Sequence, residues 1–444
     1  MNGWKWFLPG LRIKRWVAVI ALGALMLSLG AVFIMGKNIP REFYLLVTSY
    51  VRQGVFGISL SLLGIAFIIY GVRRLNGRVI GVFMPDGGND KLIDRLYEEV
   101  MLSKGIKIVV LGGGTGLHSL LRGLKEYTSN ITAIVTVSDD GGSSGRLRDE
   151  LNILPPGDIR QCIAALAPSE TSMIDLFSSR FHGEGPLKGH SVGNLLLAAM
   201  TELKHGDFNL AVQELSKVLN VRGRVLPSTV QNVTLCAEME NGLIVTGESS
   251  ITADPAKINR VFLSPADARA LPEAVAAIID ADIVVIGPGS LFTSIMPNLL
   301  VKDLLNAVRR TRATRVYVCN VMTQPGETDG FTAADHASRV IKLTGRNSID
   351  HIVVNKKYPS RLLARYEAEG ARPVKVDREN IARLGIRNVI AEDLVREDEL
   401  VRHDPDKLAA CVMRIARDEL KAAGPAAMPF DLEKLREKLM NLGG

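Results

Sequence analysis

Residues 108–124 read IVVLGGGTGLHSLLRGL, a β-branched apolar run that passes through glycines into a helical pattern. Ile108, Val109, Val110 and Leu111 are uninterrupted by a polar residue, so both faces of this strand should be covered, as in a parallel sheet. Leu117, Leu120, Leu121 and Leu124 then recur at spacings of three and four, which places one apolar stripe on a helix. A helix start presents unpaired backbone N–H groups and a partial positive charge, so an anionic group is its natural guest. Gly112, Gly113, Gly114, Thr115 and Gly116 are therefore candidate ligand-binding residues. The spacing matches neither common phosphate loop. The dinucleotide fingerprint needs a small residue where Leu117 stands, and the P-loop needs a lysine that is missing. The competing expectation is a tight strand-to-helix turn that binds nothing.

Working outward, apolar strand-like runs at 107–111, 132–137, 282–286, 315–320 and 351–355 alternate with helical patterns. That alternation predicts an α/β fold, a Rossmann-like, doubly wound, mainly parallel sheet. Between the second and third runs the pattern changes. Residues 158–167, 171–180, 191–203 and 208–219 read as a helical insert, and 229–240 and 243–249 alternate around Asn241-Gly242. This predicts a small antiparallel hairpin with a type I′ turn. Amphipathic helices are expected at 406–422 and 431–442.

The chain is long enough, at 444 residues and 47% hydrophobic content, for two or three domains. Its four cysteines form no C-x-x-C pair and its seven histidines lack metal-ligand spacing, so no metal site is assigned from them. The formal charge of +7 does not predict a nucleic-acid partner, because residues 1–104 carry 13 Lys/Arg against 6 Asp/Glu while the remaining 340 residues hold 41 of each. Residues 16–36 and 53–72 contain no charge and are each close to the roughly 20 residues that cross a bilayer as a helix. Lys5, Arg12, Lys14 and Arg15 precede the first span, and Arg73, Arg74 and Arg78 follow the second. The positive-inside tendency then predicts a multi-pass membrane protein with both termini and the bulk of the chain in the cytoplasm. The expected organisation is a membrane hairpin over 1–78, a connector over 79–104 with a short helix at 91–102, and a cytoplasmic domain over 105–444.

Further polar segments follow the strands. Asp139 and Asp140 stand at the end of the second strand, where this fold class often holds a ribose. After them comes a Gly/Ser-rich stretch with Arg146 and Arg148, which reads as a flexible phosphate-recognising loop. Gly287, Pro288, Gly289 and Ser290 follow another buried strand, with Thr293, Ser294 and Asn298 close behind. Ligands of open α/β sheets lie outside the carboxyl ends of the strands, so these loops can share one crevice. His190 and Asn194 at a helix start, and Thr323 within 320–336, could face it, although Ser191 and Thr332 also read as plain helix caps. No cofactor is assigned from a motif; Mg²⁺ held by Asp139 or Asp140 through a phosphate is the expectation. No nucleophile elbow or Ser/His/Asp arrangement announces catalysis.

Taken together, LGGGTG at 111–116, SDDGGSSGRLRDEL at 138–151, LPPGDIRQC at 154–162, GHSVGNL at 189–195, GPGSLFTSIMPNLL at 287–300 and MTQPGETDGFTAADH at 322–336 closely resemble the gluconeogenesis factor (YvcK-like) family. That family sits within the wider superfamily of 2-phospho-L-lactate transferase, the CofD-like proteins. The similarity runs from Lys107 to at least Asn355, and the N-terminal apolar segments depart from the shorter soluble members. The resemblance implies a Rossmann-like fold and binding of a UDP-sugar, notably UDP-N-acetylglucosamine. It also implies a role in bacterial morphogenesis and cell-wall supply on gluconeogenic carbon sources, with cell-wall synthesis proteins and a homodimer as conceivable partners. The rival expectation is a transferase of the phospholactate type using a nucleotide-diphosphate donor, against which the 5% aromatic content leans. A third is a scaffold that binds no small molecule.

Overall fold

The computed structural model describes residues 14–35, 53–83, 99–168 and 172–423. The chain divides into two units, Met1–Glu98 and Glu99–Gly444.

In the first unit, helices Lys14–Met35 and Gln53–Phe83 form an antiparallel hairpin. The glycines explain how closely they approach. A Cβ at Gly23 would lie 2.7 Å from the Gly64 carbonyl, and one at Gly30 would lie 2.7 Å from the Gly57 carbonyl. Gly57, Gly64 and Gly71 recur every seven residues, two helical turns, so they stay on the contact face. The spans Arg15–Ile34 and Gly54–Leu75 are long and apolar enough to cross a membrane. The second helix runs past the expected end at residue 72 to Phe83. Of the expected helix at 91–102, residues 99–102 are helical and 91–98 lie outside the described residues, as does the expected helix at 431–442.

In the second unit, seven parallel strands form the main sheet: β1 (Ile108–Gly112), β2 (Ile131–Val135), β3 (Arg224–Pro227), β7 (Ile283–Ile286), β8 (Thr314–Val318), β9 (His351–Asn355) and β10 (Asn388–Glu392), in the order β10-β9-β8-β7-β1-β2-β3. Every residue of β1, β2, β7 and β9 is buried, which is why apolar residues dominate them. The strand order reverses between β1 and β7, the switch point at which open α/β sheets bind ligands. The helix Gly114–Leu124 buries its leucine stripe against the sheet and the helix Pro405–Ala423. A Cβ at Gly123 would sit 2.1 Å from the Pro405 carbonyl, so only glycine fits this crossing.

The helical insert lies between β2 and β3 as expected, and a three-stranded antiparallel sheet of β4 (Thr234–Met239), β5 (Ile244–Thr246) and β6 (Ile258–Ser264) follows. Two expectations need correction. The β4–β5 turn is not type I′, because only Gly242 of the central pair has positive φ (83°). Instead Asn241 Oδ1 accepts from the Leu243 N–H at 3.0 Å and the Gly242 N–H donates to the Met239 carbonyl, a turn followed by a left-handed glycine. The stretch after Asp140 is not a flexible loop but the helix Gly142–Leu151. Burial of Ser143, Ser144, Gly145 and Leu147 outweighs the low helix propensity of its Gly/Ser start. Strands β3, β6, β10 and the pair β11 (Val395–Glu397) and β12 (Val401–His403) carry short or half-exposed patterns that periodicity did not separate from loops.

The helix Ala333–Thr344 has a reciprocal capping box between Thr332 and Asp335. Thr332→Ala is expected to cost about 1 kcal/mol in a denaturant titration. An unchanged midpoint would mean that the helix start is held by packing alone.

Candidate functional site

The loops after β1 and β7 touch. A Cβ at Gly116 would stand 2.9 Å from the Pro288 carbonyl, and one at Gly289 would stand 3.2 Å from the Gly113 carbonyl. These glycines therefore let two backbones meet, while Leu117 packs wholly buried where the dinucleotide motif would need a small residue. Gly114 differs: its φ is +64°, and a Cβ would meet only Ser294 Oγ at 3.7 Å. The helix that starts there has no side-chain cap at its boundary residue Gly113.

Beside the paired loops opens a cleft of about 380 Å³. Of the residues expected at the site, Gly113, Gly114, Thr115, Gly116, Pro288, Gly289, Ser290, Ser294 and Thr323 line it. Gly112, Gly287, Thr293 and Asn298 lie behind its wall. Asn298 is wholly buried and its amide donates to the Gly112 carbonyl at 3.0 Å and the Ser294 carbonyl at 2.8 Å, stapling the β1 end to the β7 loop. Thr293 Oγ1 donates to Glu327 at 3.4 Å. Ser290 Oγ accepts from the Gln324 amide at 2.7 Å, and the Gly289 N–H donates to Asn320 Oδ1 at 3.4 Å, so the segment after β8 braces the second glycine loop.

The far wall is formed by residues the sequence did not single out: Tyr366, Arg402 and His403. Tyr366 is half-buried and its hydroxyl accepts from the Val401 N–H at 3.0 Å. Burial holds the His403 imidazole down at about 4, so it is neutral. These residues come from a short helix and a two-stranded ribbon, and no local motif marks them.

On the β2 side the expected acids converge. Asp139 Oδ1 accepts from the Gly141 N–H at 2.9 Å, and Asp140 Oδ1 accepts from Ser249 N–H and Oγ at 2.9 and 2.8 Å. Asp158, which is not among the expected ligand-binding residues, accepts from the Gly114 N–H; burial and the neighbouring Asp139 push its carboxyl up to about 7. Glu248 is pushed up to about 9 by burial and by Asp139, Asp158, Glu327 and Asp140. Burial also raises Glu327 to about 7, although it accepts from the Phe292 N–H and Thr293. Among the described residues, no three acidic, histidine or cysteine side chains form a ready metal cage.

The remaining expected residues have protein partners. His190 Nδ1 meets Ser143 Oγ at 2.9 Å, and Asn194, buried, bonds Ser143 and Arg160 through its two amide atoms. Arg146 donates to the Lys188 carbonyl at 2.7 Å. Arg148 turns towards β4, donating to the Val233 carbonyl and Thr234 Oγ1 at 3.0 Å each, so its fork is not held open for a phosphate.

The comparisons with known proteins agree with this architecture. The family model described as 2-phospho-L-lactate transferase CofD matches residues 108–395. The gluconeogenesis factor of Bacillus subtilis is 50% identical over 313 residues, covering 70% of this chain and 98% of the relative. The chain belongs to the gluconeogenesis factor family, a branch of the CofD family. A family member from Nostoc sp. is 46% identical over 426 residues, 93% of each chain, so its similarity reaches into the first hundred residues. The crystal structure of a UPF0052-family protein from Bacillus halodurans matches with a TM-score of 0.67 and 50% identity, covering 70% of this chain and 99% of that one.

Proposed function

We propose that this chain is a membrane-tethered regulator that binds a nucleotide sugar, UDP-N-acetylglucosamine, and serves cell-wall supply and cell shape during growth on gluconeogenic carbon. The observation that carries this reading is the cleft at the β1/β7 switch point, where the glycine-rich start of a helix and a second glycine loop adjoin Tyr366 and Arg402. Backbone N–H groups of that kind suit a diphosphate. A tyrosine ring and a guanidinium suit a base or sugar face at the other end. The cleft volume lies within the range of small-ligand sites. Mg²⁺ at the Asp139/Asp140 side would neutralise both the acids and the ligand's phosphates.

The apolar hairpin supports tethering. Arg74 lies 6.0 Å from the Trp16 ring and 5.6 Å from the Tyr70 ring, an aromatic and cationic cluster of the kind found at membrane interfaces, on the arginine-rich end. That end would face the cytoplasm together with the second unit. Cell-wall synthesis proteins are the partners such a regulator would meet, as a monomer or a homodimer.

A second reading, group transfer from a nucleotide-diphosphate donor, is favoured by the Asp158 carboxyl, which sits on the glycine loop and titrates at about 7. Calorimetric titration of UDP-N-acetylglucosamine into the full chain in detergent micelles, with and without Mg²⁺ and beside GDP, separates the two. Saturable binding of the UDP-sugar without turnover is the expected result. Binding of GDP alone, or product formation, would sink the regulator reading.

A further inference from the structure

The insert side of the crevice carries a buried guanidinium that makes no ion pair among the described residues. Arg160, in the first turn of the helix Gly157–Leu166, is only 7% exposed. Its Nε donates to Asn194 Oδ1 at 3.0 Å; the Asn194 amide donates to Ser143 Oγ at 2.9 Å. This relay ties together the first turns of three helices, Gly142–Leu151, Gly157–Leu166 and Val192–Leu203, each directing its positive end to the same place. Gly193 makes room for the relay, since a Cβ there would stand 2.8 Å from Arg160 Cδ and 2.6 Å from the Phe177 carbonyl.

Arg160 makes no ion pair among the described residues, and no carboxylate among them lies within ion-pair distance of Arg146 or Arg180. Arg180 is close enough to depress the Arg160 pKa further after burial has done so. Asp158, the acid that acts on Arg160, is itself half-protonated near neutral pH. The hydrogen bond through Nε leaves the two terminal guanidinium nitrogens of Arg160 without a protein acceptor among the described residues. Buried charges are ordinarily paired, and an unpaired one costs several kcal/mol. None of these residues lines the cleft between the glycine loops and Tyr366.

We propose that Arg160, positioned by Asn194 and assisted by Arg180, forms a second anion seat on the insert side of the crevice, which takes the phosphoryl or carboxylate group of a small ligand distinct from the nucleotide sugar. The free guanidinium fork meets two oxygens of such a group at once, a geometry that lysine does not reproduce.

The test is calorimetric titration of inorganic phosphate, and separately malonate, into the full chain in detergent, with and without saturating UDP-N-acetylglucosamine. Wild type is expected to bind one equivalent of anion, with the affinity changed less than about twofold by the nucleotide sugar. Arg160→Gln should weaken it by about tenfold or more and Arg160→Lys by less. Arg180→Gln, on an exposed side chain, should weaken it by about threefold without lowering the melting temperature, which guards against a folding defect in the buried variant. Tighter phosphate points to a phosphorylated ligand, and tighter malonate to a carboxylic acid. Absence of saturable anion binding, or equal affinity in wild type, Arg160→Gln and Arg180→Gln, overturns the proposal. So does displacement of phosphate in step with UDP-sugar occupancy, because the charge would then serve the cleft's own ligand. If UDP-N-acetylglucosamine fails to bind, the function proposed above falls, and the phosphate titration still decides this one.

Discussion

Gly114→Val is expected to abolish nucleotide-sugar binding, by a hundredfold or more, while the protein stays folded. The two halves of that expectation come from different observations. Gly114 has φ +64°, a conformation that costs a β-branched residue about 1–3 kcal/mol. Its Cβ direction is otherwise open, with Ser294 Oγ at 3.7 Å, so the new methyl groups project into the cleft rather than into the core. There they would cover the helix start and deny its N–H groups to an anion. Losing two such charge-assisted bonds, each worth roughly 1.5–3 kcal/mol, accounts for the hundredfold loss. Gly116→Val makes the contrast. Its Cβ would press on the Pro288 carbonyl at 2.9 Å, so this variant should lose thermal stability together with binding. Calorimetry and thermal melts on both variants check the pair. Undiminished affinity in Gly114→Val would remove the glycine loop from the site.

The second large effect is an inverted dependence of stability on pH. Most carboxylates are stabilised in a fold and protect it at neutral pH; here burial raises Glu327 to about 7, and burial with repulsion from neighbouring acids raises Asp158 to about 7 and Glu248 to about 9. In the unfolded chain the same groups release their protons near pH 4. Between about pH 4 and 7, and up to about 9 for Glu248, the folded state therefore holds more protons than the unfolded one, and stability falls as pH rises. With each pKa unit worth about 1.4 kcal/mol and the three groups coupled, a loss of at least a few kcal/mol between pH 5 and pH 8 is expected. Asp158→Asn keeps an oxygen to accept from the Gly114 N–H and removes one charge from the cluster. It should flatten the profile and stabilise the protein at pH 8. Urea titrations at pH 5, 6.5 and 8 measure this directly. A wild-type stability that climbs from pH 5 to pH 8 would contradict the clustering of these acids. If Mg²⁺ is the cluster's counter-ion, adding it at pH 8 should recover part of the loss, and should do so less in Asp158→Asn.

Much of this protein was legible in short windows of sequence. The run from Ile108 to Leu111, the leucine stripe to Leu124 and the two uncharged apolar spans each state their own burial requirement, because a strand or helix must hide whichever face its residues make apolar. The glycine loops could be located in the same way. Where the windows misled, the deciding force came from elsewhere. Residues 142–151 look like a loop by composition, and become a helix because Ser143, Ser144 and Leu147 are packed under the insert. The Asn241-Gly242 turn reads as type I′ until Asn241 takes a side-chain hydrogen bond to Leu243 instead.

Sequence alone thus determined the parallel α/β core, the apolar hairpin and the glycine turns that follow two of the strands, since these follow from local pattern. Tertiary structure decided which polar groups line the cleft and which face one another. Asn298 and Gly112 are 186 residues apart, and Arg160 and Asn194 are 34 apart, yet each pair is joined by a hydrogen bond that no local motif announces. Tyr366 and Arg402 reach the cleft from distant stretches that carry no motif. The sheet order sets those meetings, and a side chain's partner across the sheet leaves no trace in the residues beside it.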